Sequence, residues 1–173
     1  MANIWDMGWV LDDAGQRLAL SLGPEAFDDD LGALTMARTQ IYAWRGDTIN
    51  SRVWADSAQH YLGLQIKDNP DDGQRYLVRA IALAKLGRAQ EATESAEHGL
   101  AIGRAKPDAG FQPFYEHMAA RTALLTGDRN RALDLLEGIM KNPWFITPAW
   151  LRLDPDFAPL RNEPRFQALT RGG

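Results

Sequence analysis

Leu83-Ala84-Lys85-Leu86-Gly87-Arg88 closes one alanine- and leucine-rich run and opens another. The same grammar recurs at Ile41-Tyr42-Ala43-Trp44-Arg45-Gly46-Asp47 and at Ala123-Leu124-Leu125-Thr126-Gly127-Asp128. The three glycines stand 41 and 40 residues apart (87 − 46 and 127 − 87). A near-constant period of this length is the signature of stacked supersecondary units, each of which needs a neighbour to bury its apolar face. Glycine suits the end of a helix because it takes the left-handed conformation without a Cβ penalty. The Asp or Arg that follows starts the next helix, so each unit reads as two antiparallel helices joined by a tight turn.

Outward from Gly87, the preceding helix is expected over residues 74–86, with Leu77, Ala80, Ile81, Ala84 and Leu86 mostly at three- and four-residue spacing. The following helix, residues 89–102, puts Ala92, Ala96 and Leu100 on one stripe with Gly99 beside it. Small residues there allow two helices to approach closely. In the third unit Met118, Ala119, Ala120, Ala123 and Leu124 face Ala132, Leu135, Leu136, Ile139 and Met140. The first unit has a longer second helix, residues 48–67, and a further helix is expected over 9–22. Breaks fall at residues 23–30, at 68–72 and in a long loop over 103–113; the acids of the first two suit helix N-termini. From Pro143 onward Pro148, Pro155, Pro159 and Pro164 recur too often for a long helix. Short turns and a last helix over 164–170 should fold back over the open end of the array, since such arrays need a cap. The 173 residues thus form one domain: an N-terminal helix within 1–30, repeats over 31–69, 70–106 and 107–142, and a proline- and aromatic-rich cap over 143–173.

Composition narrows the function classes. An apolar fraction of 45% is enough for a packed core. Nineteen basic against 23 acidic residues, a net charge of −4, argue against a nucleic-acid or anionic-membrane surface. No run approaches the roughly 18–20 apolar residues that span a bilayer. Without cysteine there is no disulfide framework, thiol nucleophile or thiolate metal site. His60, His98 and His117 fall in three different helices, none at zinc-ligand spacing. Residues 68–73 fail as a calcium loop, because Pro70 stands at a ligand position and Arg79 where the bidentate Glu belongs. Phosphate-loop and hydrolase motifs are missing. The expectation is therefore a non-enzyme without cofactor or metal. No leader is legible at the start of the chain, and the cytoplasm is favoured among the compartments.

The repeat positions resemble tetratricopeptide repeats (TPR). The middle unit supplies Ala80, Leu83, Gly87, Ala92, Ala96 and Gly99; the third Ala120, Ala123, Gly127, Ala132, Leu136 and Ile139; the first, more loosely, Thr39, Tyr42, Gly46, Ser51, Ala55 and Ala58. Two departures stand out: the period exceeds the family's usual ~34 residues, and the aromatic of the second helix is absent. The tail over residues 142–169, with its Asn-Pro-Trp-Phe start and Asp154-Pro155-Asp156-Phe157 centre, is similar to the ending of bacterial signalling proteins that carry a kinase, cyclase or transcriptional regulator ahead of a TPR region. The resemblance implies an all-α fold, specifically a right-handed α-α superhelix of TPR-like helical hairpins with a C-terminal cap. It also implies a docking or regulatory role.

In such stacks the first helix of each pair lines the concave face. Repeat position places Met36, Gln40 and Trp44 there from the first unit, Gln74, Leu77, Ile81 and Lys85 from the second, and Phe114, His117 and Arg121 from the third. Only Lys85 and Arg121 suggest a carboxylate clamp, so an apolar groove with a few polar anchors is expected, suited to a protein or peptide partner. Two rival readings are a small-ligand sensor coupled to an attached effector, and a self-association module. The second would dimerise through Trp5, Met7, Trp9 and Val10, residues that would equally suit covering by a further repeat upstream.

Overall fold

At all three expected corners the glycine has positive φ: 75° at Gly46, 80° at Gly87 and 92° at Gly127. The hydrogen bonding repeats as well. Asp47, Arg88 and Asp128 donate their amides to the carbonyls of Tyr42, Leu83 and Ala123, and each glycine amide reaches the residue three before it. This is the Schellman ending, which satisfies carbonyls left over at a helix C-terminus. Asp47 and Asp128 then turn round and accept from the amides of Asn50 (3.0 Å) and Arg131 (2.9 Å), capping the following helices.

These features come from a computed structural model that describes residues 7–105, 112–141 and 146–171. Among the described residues all regular structure is helical. A short helix α1 (Asp13–Ser21) precedes three hairpins: α2 (Leu31–Trp44) with α3 (Thr48–Asp68), α4 (Gly73–Lys85) with α5 (Ala89–Ala105), and α6 (Gln112–Leu125) with α7 (Arg129–Ile139). Within each hairpin the two helices pack on one another; α3 also packs on α4, α5 on α6, and α4 on α6. Asp30 and Asp72, among the acids expected at helix starts, accept from the amides of Ala33 (2.9 Å) and Arg75 (3.3 Å).

The α4–α5 contact is backbone-close. A Cβ on Gly99 would stand 2.7 Å from the Gly73 carbonyl oxygen and 2.8 Å from Leu77, and one on Gly73 would stand 2.8 Å from the Gly99 carbonyl. The small-residue stripe read in residues 89–102 therefore has a physical purpose. It lets two helices meet at a separation that any side chain would forbid.

Two expectations need correction. The N-terminal helix does not run through residues 9–22. A 3-10 turn (Gly8–Val10) comes first, and Asp12, extended and accepting from Gly15 at 2.7 Å, starts α1 afresh. The loop expected at 103–113 is narrower, because residues 103–105 finish α5 and residues 112–113 begin α6. Pro113 is tolerated in a first turn, where its missing N–H is not needed. Residues 106–111, and the cap aromatics Trp144 and Phe145, lie outside the described residues.

The cap itself is larger in consequence than the end-cover expected. It comprises α8 (Pro148–Leu153), a 3-10 turn (Pro155–Leu160) and α9 (Pro164–Thr170), each with proline in its first turn. Helix α9 packs on α7 and α8, while the turn packs on α6. Leu151, Phe157, Leu160 and Phe166 are almost fully buried and belong to the same core as Met36, Leu77, Ile81, Met118 and Leu136.

Candidate functional site

The face expected to be open is closed by the chain itself. Six of the ten residues placed on it, Met36, Gln40, Leu77, Ile81, His117 and Arg121, are at most 1% exposed. Trp44, Gln74, Lys85 and Phe114 are half-buried. Leu77 turns into the α4–α5 contact beside Gly99, and Phe114 packs against the core. As an open groove the set is therefore corrected. Part of that face meets a segment of the same polypeptide: the 3-10 turn of the cap packs on α6, and Leu151, Phe157 and Leu160 are buried in the shared core.

What the structure does bring together is a charged cluster around that segment. Arg121 of α6 donates to an Asp154 carboxylate oxygen at 2.7 Å, and the two side chains are 1% and 0% exposed. Its Nε lies 3.6 Å from Asp156. Asp156 also accepts from the Trp44 indole N–H of α2 at 3.2 Å. Asp154 bonds its own turn, accepting from the Asp156 amide at 2.9 Å. Lys85, at the end of α4, completes the cluster. Burial pulls its ammonium below the usual lysine range, nearby Asp156 acts in the opposite sense, and Arg121 adds to the lowering. Trp44 of α2 and Arg121 of α6 thus hold the two carboxylates at the start of one 3-10 turn, with Lys85 of α4 in electrostatic range of Asp156.

Beside them lies Phe157, whose ring is 5.6 Å from that of His117 and 6.4 Å from that of Phe166. His117 is wholly buried, and neither ring nitrogen has a hydrogen-bond partner among the described residues. Its pKa lies well below the ordinary value, first because burial disfavours the imidazolium and second because Arg121 repels it. The Gln40 amide is likewise buried without a partner at either terminal atom. Such groups cost about 1–3 kcal/mol each relative to a satisfied or apolar side chain.

Asp154, Asp156 and Phe157 are the site residues that reading the sequence did not select. An acid before proline reads as a helix cap, and Asp154 is one; nothing in its neighbours announces that its second oxygen meets a buried arginine from a helix 33 residues away. The remaining sequence-selected surface is at the N-terminus. Met7 and Val10 line an open, almost wholly apolar hollow of about 280 Å³ with Leu11, Leu18 and Leu22. Trp9 instead packs edge-on against Trp150, ring centres 5.5 Å apart, and Trp5 lies outside the described residues. Compared with protein-family models, with curated proteins and with solved structures, the chain matches none.

Proposed function

We propose that the chain is a non-catalytic interaction module, a right-handed superhelix of TPR-like hairpins that takes a protein or peptide on the face formed by its first helices. Three corners with one geometry and one bond pattern support the repeat reading. The observation that carries the binding reading is the hold of Trp44 and Arg121 on the Asp154 and Asp156 carboxylates. A surface that holds an acidic, aromatic stretch of its own chain has the chemistry to hold a similar stretch from another protein. In this reading the partner competes with residues 154–157, and the attached effector of the signalling proteins that the tail resembles is the natural beneficiary.

The test is fluorescence anisotropy with a labelled peptide of residues 152–160. The intact chain should bind it only weakly, because a tethered segment has an effective concentration near millimolar. Asp156→Asn, which weakens the tether's hold on Trp44 and Arg121, should raise the affinity roughly tenfold. No binding to either protein at millimolar peptide would remove the support for this face.

A second reading has one observation in its favour. Val10, Leu11 and Leu18 are 53, 37 and 64% exposed around the N-terminal hollow, a concentration of apolar side chains that marks contact surfaces. If the chain self-associates there, light scattering will show a concentration-dependent dimer that Leu18→Glu abolishes. A monomer at 100 µM (on the order of ten times a typical transient Kd) would reject it.

A further inference from the structure

We infer that the cap is a pH-sensitive strap: protonation of His117 releases residues 148–170 from the first helices. The device rests on the charge balance of the cluster. The charge that acts on His117 is Arg121 of its own helix, which is itself paired with Asp154 and Asp156 of the cap, and the His117 ring packs against Phe157 of the same turn. The described charged residues of α7 are engaged elsewhere, Arg129 with Glu163, Arg131 with Glu97, and Asp134 and Glu137 with Arg165. Arg121 is compensated by the cap carboxylates while His117 is neutral. A second buried cation beside Arg121, with no acceptor among the described residues for either of its N–H groups, would have no compensation.

The sign follows from linkage. In the closed state His117 stays neutral because it is buried, while in the released state it meets water and regains an ordinary pKa near ~6.5. The released state therefore binds the additional proton, and acid favours it. Between pH 7.5 and 5.5 the exposed imidazole takes up its proton while the buried one is held neutral. The released fraction should rise about tenfold over that interval. Release is local because α4 and α5 bury their closest contact against each other and not against the cap, and terminal units of helical arrays open on their own.

The experiment is amide hydrogen exchange on the intact chain at pH 7.5 and 5.5, corrected for intrinsic exchange. The opening constant of residues 148–170 should increase about tenfold at the lower pH while α4 and α5 hold their protection. His117→Leu should remove the pH response. His117→Gln, which cannot titrate and keeps a polar side chain, should remove it too and covers the case in which the leucine variant misfolds. An undiminished response in His117→Gln, or equal loss of protection in α4, α5 and the cap, would overturn the inference.

Discussion

Arg121→Ala is expected to lower the unfolding free energy by about 3–5 kcal/mol, because it strands the Asp154 carboxylate in an interior position with 0% exposure. Against a total stability of about 5–15 kcal/mol, that is enough to unfold a marginal chain near body temperature. The Asp156 amide at 2.9 Å still satisfies one Asp154 oxygen, and the other loses its arginine donor. The loss measures the stranding of a charge and not the worth of the ion pair, which a double-mutant cycle separates. Arg121→Met with Asp154→Asn removes both charges and retains a cap acceptor for the Asp156 amide, so more than half of the lost stability should return. Thermal melts followed by circular dichroism decide it. A double variant no more stable than Arg121→Ala would mean that the arginine acts through its aliphatic packing.

The corners of the fold were legible because each has a local cause. Gly46, Gly87 and Gly127 are required by positive φ at a helix end, a constraint that involves a handful of adjacent residues. Asp12 shows the same locality in the other direction: its capping of Gly15 splits the helix expected over 9–22, a signal that was present in the sequence and outweighed by the apolar residues around it. Of the first-helix positions, Trp44 and Arg121 meet on Asp156. What covers that face was not legible. The decision between an open groove and a filled one depends on where Leu151, Phe157 and Leu160 find buried area, and such contacts span 33 residues in the Arg121–Asp154 pair and 112 in the Trp44–Asp156 bond. Periodicity reports which side of a helix is apolar; it carries no information about whether a partner or the chain's own tail will occupy it. Asp154 illustrates the limit. Its capping role is local, and its burial is a property of the assembled fold.

Phe157→Ala is the companion test from the apolar side of the same turn, with an expected loss of about 3–5 kcal/mol. Phe157 has 0% exposure and lies between the rings of His117 and Phe166, so its removal leaves a cavity walled by side chains on α6 and α9 that cannot easily collapse. The magnitude distinguishes two pictures of the cap. If residues 154–160 merely drape over a finished array, truncating one ring should cost under about 1 kcal/mol, as at a typical surface position. If the turn completes the core, the cost is that of an interior phenylalanine. The location of the loss then tests the strap. Because α4 and α5 meet through Gly73 and Gly99 without help from Phe157, exchange protection should fall chiefly in residues 148–170, and urea should release the cap before it melts the hairpins. A single transition seen equally by every helix would make cap and array one cooperative unit, and a face bound that firmly to its own chain could not be surrendered to another.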